Sequence, residues 1–166
     1  MRFLVLFLSQ LLPLASPSSL IFVSESGRAT FVSEAPLEII EARSSDLKGL
    51  LDLRDGAFAF TIDLLSFDGF NSPLQREHFN ENYLESTKFP KATFSGRIIE
   101  QIDLSQPGSY DIRAKGILDI HGVEQERIIR VNILSDPQEM KVNANFFVLL
   151  EDHNIRIPKV VYQKIA

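Results

Sequence analysis

Few residues in this chain have the types and spacing that chemistry would need. Arg76, Glu77 and His78 stand side by side within "FNSPLQREHFNENYLESTKFPKATF", Phe70 to Phe94, as a cation, an acid and a base. The other two histidines are His121, in "DIHGVEQE", and His153, in "EDH". General acid–base catalysis needs its groups within about 3 Å of one reacting atom. Successive side chains on a helical turn diverge by about 100°, so Arg76, Glu77 and His78 cannot converge on one atom. Ser66 and Ser72 lack the turn that exposes a hydrolase nucleophile. Asp152-His153 without such a nucleophile is no triad. The histidines are scattered and none forms a His-x-x-x-His pair, so neither a metal nor another cofactor is expected. The chain has no cysteine, which removes disulfides, thiolate ligands and a thiol nucleophile together. The expectation is a protein that is not an enzyme.

The same stretch makes better sense as structure. Pro73 can open a short helix capped by Asn71 or Ser72, with Leu74 and Phe79 pinning it to the body of the protein. Pro90 forbids further helix and turns Phe89 into extended geometry ahead of a strand over 91–99. The segment is then a plug over one end of whatever the strands build. It closes that end alone, or it also offers Arg76 and His78 as charge-assisted donors to a polar head group.

Composition sets the frame around it. A chain of 166 residues with 45% hydrophobic content and 13 Phe is long and apolar enough for one substantial core. A net charge of −5 and no run of four basic residues argue against a nucleic-acid partner. The amino terminus reads as an export leader over residues 1–18: Arg2 is the basic start, "FLVLFLSQLLPLA" the apolar run, and "SPSS" the small residues for cleavage near Ser18. The run is short for a bilayer span. The alternative is an apolar first strand. The leader reading places the mature domain, residues 19–166, in the periplasm or outside the cell.

Past the leader the chain alternates with period two. "AFAFTID" sets Phe58, Phe60 and Ile62 on one face, and "SYDIRAKGILDI" does the same for Tyr110, Ile112, Ala114, Leu118 and Ile120. "EMKVNANFFVLL" sets Met140, Val142, Ala144, Phe146 and Val148 against Lys141, Asn143 and Asn145. Such runs are strands with one face inside and one in water. Turn signals stand at Ser26-Gly27, Asp55-Gly56, His121-Gly122, Gln106-Pro107-Gly108 and Asp136-Pro137. Strands of about ten residues suit the tilted staves of a closed barrel better than a sandwich. The predicted fold is all-β, an antiparallel barrel of about eight strands with a short helical plug. Small residues on the inward face, Ala114, Gly116 and Ala144, leave room among the bulky Phe.

Three segments in order resemble the YceI-like family. They are "FNSPLQREHFNENYLESTKFPKATFSG", "AKGILDIHGVEQERIIRVNI" (Ala114 to Ile133) and "FFVLLEDHNIRIPKVVYQKIA" (Phe146 to Ala166). The resemblance runs from about Phe22 to Ala166. It implies a lipocalin-like barrel, secreted or periplasmic, that binds a polyisoprenoid or similar amphiphile in an elongated apolar cavity. It also implies a further strand beyond the segment matching "VYQKIA", so the expectation is a barrel completed differently or one with an edge left open.

Together these give two readings of function. One is carriage or sequestration of a long-chain amphiphile, such as a polyisoprenoid, an isoprenoid quinone or a fatty acyl lipid, with transient contact with a membrane. Its tail would lie against Phe58, Phe60, Ile62, Phe94, Ile112, Ala114, Leu118, Phe146 and Val148, and its head near Arg76 and His78. The other is a ligand-free envelope or stress-related module that works through its surface.

Overall fold

Wherever apolar and polar residues alternate, the chain extends. The computed structural model describes residues 2–13, 20–35 and 38–156. Within them are eight strands: β1 Arg2–Pro13, β2 Ile21–Ala35, β3 Glu38–Asp52, β4 Ala57–Asp63, β5 Lys91–Ile98, β6 Gly108–Ile120, β7 Val123–Asp136 and β8 Glu139–Leu149. Each strand pairs antiparallel with the next, and β1 pairs with both β2 and β8, so the sheet closes on itself. This is the expected barrel. Closure leaves little unpaired edge among the described residues: on its β4 side, β3 is laddered only over Lys48–Asp52, with one further bridge between Arg43 and Asp68.

The stretch read as a leader is thus the closing stave of the unprocessed chain. Its ladder with β8 runs from Arg2↔Leu149 to Leu11↔Met140, and its ladder with β2 from Phe3↔Ser33 to Pro13↔Phe22. The proposed cleavage point near Ser18 lies outside the described residues, as do residues 157–166.

One predicted turn is not a turn. Ser26-Gly27 falls inside the 15-residue β2, where the register with β3 shifts on both sides of Gly27. A Cβ on Gly27 would lie 2.9 Å from the Leu47 carbonyl oxygen and 3.1 Å from Ser9 Oγ. The glycine admits a close approach of neighbouring strands at a bulge, a use that looks the same in sequence as a reversal. The reversals at Asp55-Gly56, His121-Gly122 and Asp136-Pro137 do occur, and Gly56, His121 and Gly122 take positive φ of 70°, 58° and 69°.

Between β4 and β5 the chain leaves the sheet and covers one barrel end. The Ser72 hydroxyl accepts from Gln75 N–H at 3.1 Å, and Pro73 opens the single-turn helix α1, Pro73–Glu77. A wider π-type turn, His78–Tyr83, continues it. Phe79, Tyr83 and Leu84 are buried, whereas Leu74 is 57% exposed. Gln75 and Phe79 are four residues apart and share the barrel-facing side; Leu74 points about 100° away from it. Phe79 therefore pins the plug and Leu74 does not, contrary to the expectation for the pair.

The core forms two adjoining clusters. One fills the end away from the plug and includes Phe58, Phe94, Ile112, Ala114 and Leu118. The other lies beneath the plug and includes Phe31, Ile62, Phe67, Phe79 and Leu150. Phe60 and Ile120 pack against both.

Candidate functional site

The barrel interior is not solid. Two chambers open along its axis, one in each core cluster. The distal chamber is lined by Phe58, Phe60, Phe94, Ile112, Ala114 and Phe146, among others, with Ser9 the one polar side chain among the described lining residues. The plug-side chamber is lined by Phe60, Ile62, Phe94, Leu118, Phe146 and Val148 together with Phe31, Phe67 and Phe79. Their empty space, with the gaps between side chains and the solvent at the openings both counted, is about 580 and 750 Å³ respectively. All nine residues expected to face an apolar ligand line one chamber or both. Three of them, Phe60, Phe94 and Phe146, line both and so stand at the junction.

Why the strands leave space is visible at the small residues. Gly96 and Gly116 are paired across β5 and β6, and a Cβ on Gly96 would lie 2.0 Å from the Lys115 carbonyl oxygen. These glycines let the two backbones pinch together, and neither β5 nor β6 puts a side chain into the bore at that level. Aromatic rings fill the flanks instead: Phe58 and Phe94 lie 4.9 Å apart at 44°.

The plug supplies its own aromatics. Phe79 stacks on Phe31 of β2 at 4.9 Å and 5°, with Phe70 at 5.1 Å and Phe67 at 6.0 Å. Phe31, Phe67 and Phe79 belong to this site although the sequence reading assigned them no ligand role. Phe31 carries a usable signal, the alternation of Ala29, Phe31 and Ser33. Phe67 sits in a loop without periodicity, and only its docking reveals it.

Arg76 and His78 are placed otherwise. Arg76 donates weakly to the Leu65 carbonyl at 3.4 Å and lies 3.9 Å from Asp68, with its side chain 48% exposed. His78 stands edge-on to Tyr83 at 6.5 Å. Both lie on the plug, and neither lines either chamber. An exposed ion pair of this kind is worth about 0–1 kcal/mol.

Of the other two histidines, His121 ties the plug to the barrel, and His153 ties the turn after β8 to the start of β7. The two ring nitrogens of His121 face oxygens, the His153 carbonyl at 3.1 Å and a Glu85 carboxylate oxygen at 2.7 Å. Phe89 packs over the ring at 4.5 Å. His153 is fully buried, and its Nδ1–H donates to the Val123 carbonyl at 2.9 Å. Burial holds its pKa below the usual imidazole range. Arg127 pairs with Asp152 at 2.9 Å beside it. Glu85 takes a positive φ of 45° where the chain leaves the plug, so the His121 contact fixes a bend as well as an end. Among the described residues no three His, Asp or Glu side chains gather as a metal centre requires.

Known proteins share this architecture. A polyisoprenoid-binding domain from Saccharophagus degradans, implicated in plant cell wall breakdown, aligns over 87% of this chain and 96% of its own, at 12% identity and a TM-score of 0.50. The YceI protein of Campylobacter jejuni aligns over 78% of both chains, at 16% identity and a TM-score of 0.55. At such identities the likeness is one of fold. No curated protein matches the sequence. Residues 22–166 match the YceI-like domain, and the chain belongs to the YceI-like family.

Proposed function

We propose that this protein binds a long-chain amphiphile, such as a polyisoprenoid, an isoprenoid quinone or a fatty acyl lipid, with the tail inside the barrel. It carries or sequesters that lipid and performs no chemistry on it. The observation that carries this reading is the pair of adjoining chambers with an almost wholly apolar lining. Each methylene buried there contributes about 0.8 kcal/mol. A chain of modest length thus outweighs anything a rim charge adds. The polyisoprenoid-binding activity for which the Saccharophagus degradans domain is named supports the choice of ligand class.

The site of action in this reading is outside the cytoplasm. Arg2, the apolar run after it and the small residues at 16–19 support a cleaved leader. Processing near Ser18 would withdraw β1 from between β2 and β8. Amino-terminal sequencing of the exported protein tests this; an intact Met1 in the soluble envelope fraction contradicts it. For the ligand, solvent extraction and native mass spectrometry of the purified protein are decisive. Co-purifying lipid supports the carrier. A protein that stays empty, and binds no lipid when offered it, is instead a ligand-free interaction module.

A further inference from the structure

We propose that Gly49 and Phe60 set the bore between the two chambers and so select the length of apolar chain the barrel accepts. This rests on the reading of the interior as a lipid site.

Gly49 lies on β3, directly across from Phe60 on β4, and Phe60 is in turn paired with Phe94 on β5. Phe60 and Phe94 both border the two chambers. Phe94 is held against Phe58 and is 8% exposed. Phe60 is less enclosed, 6.1 Å from Phe58. What positions its ring is the absence of a side chain opposite. An ideal Cβ on Gly49 would lie 2.4 Å from Phe60 Cε1 and 2.6 Å from Cδ1. The ring therefore rests on the backbone of β3, in space that any other residue would take.

The neighbours sharpen the point. The flanking inward positions on β3 are Leu47 and Leu51, both buried leucines. Glycine interrupts that row at the level of the junction. Its backbone is not in the left-handed region, unlike Gly56, Gly69 and Gly122. Conformation does not require glycine there; space does. Gly49 is a berth for the Phe60 ring. With the ring berthed the chambers communicate, and a chain longer than one chamber can run through both. A side chain at 49 pushes the ring into the bore and confines a ligand to one chamber.

The test uses farnesol as the short probe and solanesol as the long one. Each is offered in detergent to the full chain, and bound stoichiometry and affinity are read by native mass spectrometry and competition. The wild type takes both and prefers solanesol. Gly49→Ala loses solanesol affinity by at least about tenfold, since several methylenes no longer find apolar wall, while farnesol binding changes little. Gly49→Ala combined with Phe60→Ala regains solanesol, because the displaced ring is gone. Phe60→Trp, which leaves the backbone at 49 untouched, reproduces the selective loss and serves if Gly49→Ala does not fold. Equal loss of both probes in a folded Gly49→Ala or Phe60→Trp overturns the inference, as does an unchanged preference in either. A wild type that binds neither probe overturns the lipid reading itself, a result distinct from loss of selection.

Discussion

Replacing Phe79 by Ala probes how the plug is held. Phe79 is 5% exposed and touches three other rings, Phe31, Phe67 and Phe70. Truncating a buried Phe costs about 3–5 kcal/mol, and the stacked pair adds up to about 1 kcal/mol beyond area. The site borders an existing chamber, so the lower end of the range applies, about 3 kcal/mol. Two of the three partner rings belong to the plug segment itself; only Phe31 is on a strand. The loss therefore falls on opening of the plug more than on unfolding of the barrel. The reporters are the amides of Leu84, bonded to the Phe79 carbonyl at 2.9 Å, and Ser86, bonded to the Asn80 carbonyl at 2.8 Å. Hydrogen exchange at those two amides is expected to accelerate about 100-fold, the equivalent of about 3 kcal/mol, with β6 and β7 amides changed far less. Equal acceleration in β6 and β7 would mean that plug and barrel open as one unit. No acceleration at Leu84 and Ser86 would mean that Phe79 does not hold the plug. Either result refutes the reasoning.

Three further outcomes follow from other parts of the barrel. His153 is buried neutral, with a folded pKa below its ordinary value of 6.5, so its contribution to stability is full above that pH and is lost as pH falls through the folded pKa. Urea midpoints at mildly acidic and neutral pH are expected to converge in His153→Gln, and an unchanged difference would place the dependence elsewhere. Gly96→Ala forces a Cβ to within 2.0 Å of a backbone oxygen; it is expected to cost at least about 3 kcal/mol in denaturant unfolding, and a near-neutral result would mean that β5 and β6 separate easily. Arg76→Ala is expected to leave binding of an uncharged lipid nearly intact and to weaken an anionic one by no more than about 1 kcal/mol, whereas Phe146→Ala weakens both. The reverse pattern in binding titrations would move recognition from the chambers to the plug.

The staves were legible because burial on one face imposes a period of two. The inward positions of β4, β6 and β8 follow directly from "AFAFTID", "SYDIRAKGILDI" and "EMKVNANFFVLL". Hidden from the sequence is everything set by pairing between strands. Gly27 and Gly122 are both glycines beside polar residues, yet one relieves a crowded bulge and the other reverses the chain. The berth of Phe60 depends on Gly49 lying opposite it, a matter of register. His121 finds Glu85 and His153 more than thirty residues away, and no local spacing announces such a contact. Arg76 drew notice by its charge, but a single helical turn anchored through Phe79 leaves it on the outer side.

The two chambers also bear on how the folded chain responds to compression. Apolar voids of this kind stay dry when no ligand fills them. The volume they hold is given up when the chain unfolds, and hydrostatic pressure acts on that difference. An empty barrel is therefore a compressible one, expected to yield at lower pressure than a solidly packed barrel of the same length. A lipid tail in the chambers replaces void with matter and removes much of that weakness. Filled and unfilled molecules would then differ in partial molar volume and stiffness while keeping the same strands, the same plug and the same surface charge.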